Sequence, residues 1–403
     1  MKLLIWGGGF VNKGAEAMLR TVQTELQARI PNIEFGMEAI EAERELLDDL
    51  KISYFARSDT PWFEPWEKWL FRWKRRSQVN SCVEKYDGLI DISGYAFGGN
   101  GCARATWRLL AVADRMRKKG KPVIFMPQAW GPFNDDSGRK AVGKLLEVSS
   151  MVFARDEESL GYINELTSSI SEKLLLSPDV AFVFESASKD ESDKVLSEIG
   201  ISAPDKPIVV ISPNQRVYEK MEGEGAESKY LHVLLEVCNF FIKKTDANLA
   251  LLPHEIRFPG DSYSDDRELC SILGGMISHE KRRVGVMSES YSAAQIKSVI
   301  AKSELVIGSR YHGLIAGLSQ SIPVVAIGWS HKYNKLLGDC GLSEYVIPFE
   351  EAEVKTVVSS VEHAWLNRKK NSLVVEEYVK NIKENVRSTF DKVALMIGNI
   401  EKI

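Results

Sequence analysis

Short apolar runs alternate with longer amphipathic segments, and this rhythm limits the fold more than any other feature of the chain. Leu3–Trp6, Gly88–Ile92, Val123–Met126 and Met151–Ala154 have strand length and near-continuous apolar character, while Ala15–Arg29, Ala105–Lys118 and Glu157–Leu166 carry a helical period. Strands of that kind are buried on both faces, and strands separated by a helix run parallel, with the helix as crossover. After Asp179-Val180-Ala181-Phe182 the pattern loosens into polar Glu185–Asp193 and then Ser202-Ala203-Pro204-Asp205-Lys206-Pro207, the composition of a domain boundary. The same grammar resumes with strands at Ile208–Ser212, Ala247–Leu252, Arg283–Val286, Leu305–Ile307 and Val324–Ile327 and helices at Lys229–Lys244 and Tyr291–Lys302. The expected fold class is α/β, with two Rossmann-like doubly wound domains around a central cleft. They span 1–186 and 187–350, and 351–403 supplies C-terminal helices, of which the long Val374–Gly398 packs back on the first domain. A chain of 403 residues is too long for one ordinary core.

With 52 basic against 56 acidic side chains and a net charge of −4, no global field draws the chain to nucleic acid. The five cysteines (82, 102, 238, 270 and 340) are scattered, without a C-x-x-C pair, and read as reduced packing thiols. The opening Met1–Trp6 run is too short for a signal peptide and reads as a first strand, and no stretch reaches the roughly 18 apolar residues of a spanning helix. A cytoplasmic location is expected. In Pro61–Arg76, Trp62, Trp66, Trp69, Leu70 and Trp73 share one helical face and Lys68, Arg72, Arg75 and Arg76 the other. That stripe suits packing on the first sheet or, alternatively, peripheral contact of Trp62–Arg76 with the inner face of a membrane.

Chemistry concentrates at strand ends. In Leu305–Gly313 a buried strand runs into a helix whose free N–H groups can bind an anion. Arg310 adds a planar fork for carboxylate or phosphate and His312 a proton donor, so Ser309, Arg310, Tyr311 and His312 are candidate donor contacts. The plainer alternative is a capping loop whose histidine satisfies backbone groups. Arg216, in Ser212–Arg216, holds the equivalent place after another strand, and two arginines could share one dianion. The Gly7–Glu16 turn lacks G-x-G-x-x-G spacing, which argues against a nicotinamide cofactor. There Glu16 is either a base or a helix-dipole partner. The Pro127–Phe133 loop offers Gln128 and Trp130 to a sugar, unless Trp130 is core. His254 follows a further strand, with Asp265 and Asp266 downstream. Asn12, Gln128, Trp130 and His254 are assigned to the acceptor side. No D-x-D pair and no metal-ligand spacing occurs, so metal-independent chemistry is expected.

Asn12-Lys13-Gly14-Ala15-Glu16, Pro127–Phe133, Ala154-Arg155-Asp156-Glu157-Glu158-Ser159, Pro178–Phe182 and Gly308–His312, in that order, resemble the polysaccharide pyruvyl transferase family, as do Ile322–Ile327 and His331-Lys332. Many relatives carry Asp before the Glu where this chain has Ala15. The resemblance implies a GT-B-like architecture and transfer of pyruvate from phosphoenolpyruvate to a sugar or lipid-linked oligosaccharide as a ketal, with no cofactor. It places donor binding at Arg310 and His312. On this reading Arg216 and Arg310 hold the anion, His312 is the general acid, and Glu16 is the base. Replacing Arg310 by Ala should remove donor binding and leave the fold intact. The alternatives are a nucleotide-sugar glycosyltransferase of similar shape and a non-catalytic glycan-binding relative.

Overall fold

The computed structural model describes residues 1–56, 81, 83–99, 102–201, 205–261, 263–277, 281–328 and 332–398. The Trp62–Arg76 stripe, Cys82 and His331 lie outside the described residues. The strands form two all-parallel sheets. The first holds β1 (Lys2–Trp6), β2 (Glu34–Ala39), β3 (Ile52–Ala56), β4 (Gly88–Asp91), β5 (Val123–Gln128), β6 (Met151–Ala154) and β7 (Leu174–Leu176), in the order β3-β2-β1-β4-β5-β6-β7. The second holds β8 (Ile208–Ser212), β9 (Asn248–Leu251), β10 (Val284–Val286), β11 (Ser303–Gly308), β12 (Val324–Gly328) and β13 (Val346–Pro348), in the order β10-β9-β8-β11-β12-β13. Each order reverses once, between β1 and β4 and between β8 and β11. Such reversals open a crevice at the strands' carboxyl ends, where α/β proteins bind ligands.

Central strands β4, β5, β8, β9 and β12 are buried along their whole length, the pattern their apolar sequence dictates. Sequence periodicity missed β2, β3, β7 and β13. The first carries Glu34, Gly36 and Glu38 among its apolar residues, β3 is an edge strand, and β7 and β13 are three-residue edge strands. Short or broken apolar runs do not rise above the background of loops. Among the described residues no helix is long and apolar enough to cross a membrane, and Cys102, Cys238, Cys270 and Cys340 are buried free thiols.

The chain divides into two compact units. The first comprises 1–9, 18–180 and the residues from Asn385, and the second comprises 10–17 and 181–384. The division falls at 180/181 rather than 186/187, and 10–17 belongs to the second unit. Backbone pairing is the reason: Asn12 forms an antiparallel bridge with Glu255, Lys13 N donates to His254 O (3.0 Å), and Ile256 N donates to Val11 O (2.9 Å). The last part of helix Arg368–Gly398 belongs to the first unit, where Thr389 Oγ1 donates to Ser177 Oγ (2.7 Å) and Arg29 pairs with Asp391 (2.7 Å).

In the first unit the reversal point is pinned by Asp91 at the end of β4. Its carboxylate accepts from Ser93 N (3.1 Å), Ser93 Oγ (2.8 Å) and Gln128 Nε2 (3.1 Å). Ser93 crowds Gly7, where φ is +86° and a side chain would collide with it, so the first glycine of the Gly-rich turn serves packing. Burial pushes the Asp91 carboxyl up to about 6, against the hydrogen bonds that favour its charge. A raised carboxyl stabilises the fold below its unfolded value and loses that contribution as pH rises through about 6. Asp91→Asn keeps an oxygen toward Ser93 N and Gln128 and offers an amide to Ser93 Oγ. It should flatten the pH dependence of stability from about pH 4 to about pH 6 and raise neutral-pH stability by about 2–3 kcal/mol, measured by urea denaturation across pH.

Candidate active site

The reversal point of the second unit is organised by one carboxylate. Asp266, the first residue of helix Asp266–Met276, is fully buried and takes five hydrogen bonds. Its Oδ1 accepts from Gln215 N (3.0 Å) after β8, and its Oδ2 from His254 N (3.1 Å) and Glu255 N (2.8 Å) after β9. The Arg310 guanidinium, after β11, grips both oxygens at 2.9 and 2.6 Å. Glu255 completes the guanidinium's pairing at 2.9 Å. Three strand-end loops are therefore tied to one residue.

Two imidazoles and two lysines line a small cavity in this unit, with Phe184 and small apolar side chains completing its wall. His312 is half-buried at the start of helix Tyr311–Leu318. Gly14 lies flat on its ring, since a side chain there would stand 2.2 Å from the imidazole, which explains a glycine at that place. Lys13 pairs with Glu16 at 3.0 Å, both buried. His254 is 5% exposed, and its Nδ1 has no hydrogen-bond partner among the described residues. Burial, then the positive charge of His312, Arg310 and Lys13, holds it well below the ordinary histidine range, so it is neutral. Lys297, also buried, donates to Phe184 O at 2.5 Å, and burial followed by the Lys383 charge brings it down to about 7.

The sequence-derived candidates separate into three groups. His312, His254 and, through Lys13, Glu16 meet around the cavity. Arg310 and Ser309 are near that cavity but committed to structure. The Arg310 fork is engaged through Nε and Nη2 by Asp266 and through Nη1 by Glu255, while buried Ser309 bonds Tyr230 Oη through its hydroxyl (3.0 Å) and Asn214 Nδ2 and Tyr333 Oη through its carbonyl (2.6 and 2.8 Å). Removing the Arg310 side chain would strand two buried carboxylates, so the expectation of an intact fold in Arg310→Ala is corrected. Tyr311 is half-buried, with Lys332 Nζ 5.6 Å from its ring centre. Arg216 is exposed and makes no ion pair among the described residues; only its backbone N is held, by Asn214 Oδ1 (2.9 Å). The Asn12 side chain caps its own helix through Gly14 N (2.9 Å).

Gln128 and Trp130 belong to the first unit and are not a sugar platform. Gln128 is fully buried against Asp91, and Trp130, 1% exposed, stacks on Phe97 (5.0 Å) and donates Nε1 to Phe153 O (3.1 Å). The apolar strand and tight loop that suggested a ligand site make a core corner instead. Sequence reading noticed Asp266 only as a neighbour of His254 and passed over Lys13 and Lys297. An acidic residue in the first turn of a helix is ordinarily a dipole partner, and nothing local shows which arginine it will meet.

Two doubly wound parallel sheets in one chain define the GT-B class of α/β protein. The UDP-GlcNAc 2-epimerase of Neisseria meningitidis, solved with UDP-GlcNAc, is similar at TM-score 0.63 and 13% identity, over 98% of this chain and 100% of that one. HepE of Anabaena, solved with UDP-glucose, gives 0.63 and 14%, over 100% of both chains. At these identities the likeness is one of fold. Residues 12–331 match the polysaccharide pyruvyl transferase family, and the chain belongs to it, a family of transferases in polysaccharide biosynthesis. The amylovoran biosynthesis protein AmsJ of Erwinia amylovora is 21% identical over 286 residues, 70% of this chain; the chain spans 66% of that protein's length.

The Asp266–Arg310 pair lends itself to a double-mutant cycle. Asp266→Ala and Arg310→Ala should each cost about 3–5 kcal/mol, because each leaves buried charge uncompensated. The double variant should cost less than their sum by roughly 1–3 kcal/mol, read by chemical denaturation.

Proposed function

We propose that the protein transfers the pyruvyl group of phosphoenolpyruvate to two hydroxyls of one sugar in a polysaccharide precursor, forming a pyruvate ketal and releasing phosphate. The observation that carries this reading is the packing of His312, Lys13 and His254 around one cavity beside the β8/β11 reversal point of a chain in the pyruvyl transferase family. The reaction needs a proton on the methylene carbon of the donor, hydroxyl attack at its central carbon, and phosphate loss as a second hydroxyl closes the ring. His312 is suited to deliver the first proton. Lys13, exposed Arg216 and the N–H groups at the start of helix Tyr311–Leu318 are suited to the donor's carboxylate and phosphate. Arg310 serves by holding the loops through Asp266 and Glu255 rather than by gripping the donor. Glu16, ion-paired with Lys13, orients that lysine.

The acceptor, soluble or lipid-linked, is placed on the cytoplasmic side of the membrane in this reading, and no bound metal or cofactor is invoked. Nucleotide-sugar transfer is the rival suggested by the fold, but a likeness at 13–14% identity does not extend to substrate. Incubation with phosphoenolpyruvate and candidate glycans should release phosphate and add a pyruvate ketal visible by mass spectrometry, with no product from nucleotide sugars. His312→Ala should lower kcat by about 10²–10⁴-fold while the protein stays folded. Gly14→Ala, which pushes on the His312 ring, should lower kcat in the same direction. Transfer from a nucleotide sugar instead would sink the reading.

A further inference from the structure

We propose that His254 is a second catalytic imidazole, the base that takes the proton of the attacking hydroxyl while His312 protonates the donor's methylene carbon. The inference rests on the pyruvyl-transfer reading and adds a residue to it. His254 lines the same cavity as His312 and is nineteen-twentieths buried, with Nδ1 lacking any partner among the described residues. A buried histidine normally finds a partner for each ring nitrogen or costs the fold roughly 1–3 kcal/mol. His254 stands in the cavity wall with a ring nitrogen that the fold leaves without a partner, which leaves the imidazole's proton chemistry uncommitted to the structure. The backbone on either side is fixed: His254 N donates to Asp266 Oδ2, and His254 O accepts from Lys13 N.

The charged groups around the ring arrive from every neighbouring element. Lys13 comes from the first helix, Arg310 and His312 from the loop and helix after β11, Asp266 from helix Asp266–Met276, Glu255 from the same loop, and Lys297 from helix Ala293–Ile300. The carboxylates Asp266 and Glu255 are spent on Arg310, so the cations dominate and keep the resting ring neutral; it takes up a proton as His312 gives up its own, which removes one of the opposing charges.

The protons then balance over two steps. In the first, His312 gives a proton to the methylene carbon, the sugar oxygen bonds to the central carbon, and the hydroxyl proton passes to His254. In the second, the next hydroxyl bonds to that carbon and gives its proton to His312, the carbon–oxygen bond to phosphate breaks, and His254 returns its proton to the departing phosphate. Both imidazoles end as they began, and the products are ketal and phosphate.

The test is phosphate release by the full chain with phosphoenolpyruvate and a glycan acceptor. His254→Gln and His254→Asn should lower kcat about 10²–10⁴-fold with little change in the KM for phosphoenolpyruvate. The wild-type kcat/KM profile should fall on the acid side below the ordinary histidine range. Imidazole in solution should restore part of the activity of His254→Ala. If wild-type protein transfers pyruvate but the Gln and Asn variants keep its kcat and acid limb, this inference fails and the function stands. A wild-type profile without an acid limb overturns it whether or not the variants fold. If wild-type protein releases no phosphate from phosphoenolpyruvate with any glycan, the functional reading fails and this inference with it.

Discussion

The second unit depends on the buried contact between Asp266 and Arg310. A guanidinium and a carboxylate removed from water are each expensive, and their attraction offsets that expense only in good geometry with the remaining donors and acceptors filled. Here the geometry is two-pronged and the other acceptor sites on Asp266 go to three backbone N–H groups from two further loops. The pair therefore acts as a clasp that fixes the ends of β8, β9 and β11 relative to one another. His254 and His312 are carried on two of those three ends.

That arrangement divides the charged residues by task. Arg310 faces two carboxylates and Lys13 faces one, so these two buried cations are compensated within the fold. Compensation keeps the site rigid and its dipoles already aimed, which is how an enclosed site stabilises developing charge without reorganising. In the proposed reaction the proton chemistry falls to the imidazoles. Burial separates them: His254 is sealed and neutral, while His312 sits half-buried against the bare face of Gly14.

The family-like segments of the first unit interlock. Arg155 pairs with Asp179 at 2.8 Å, Arg155 N donates to Gln128 O (3.0 Å), and Trp130 N donates to Ser159 Oγ (2.9 Å), itself in the turn capped by Asp156. These three family-like stretches thus make one scaffold after β5, β6 and β7. Arg155, Asp179 and Trp130 are buried in these contacts rather than presented to solvent.

Hydrophobic period alone was enough to specify the parallel character of the sheets, the two-fold repetition of the α/β pattern and the strand-to-helix turn after β11, since burial on both faces of a strand writes itself as continuous apolar sequence. The edge strands β3, β7 and β13 escaped because a strand paired on one side needs less apolar length. Residue chemistry likewise marked His312, His254 and Arg310 correctly as strand-end groups. Their roles followed from contacts 12 to about 300 residues away in sequence: Arg310 with Asp266 across 44 residues, His254 with Asp266 across 12, and His312 with Gly14 from the other end of the chain. Whether a polar side chain meets substrate or a buried partner depends on what surrounds it in space, and that neighbourhood exists only once the loops are gathered by tertiary structure.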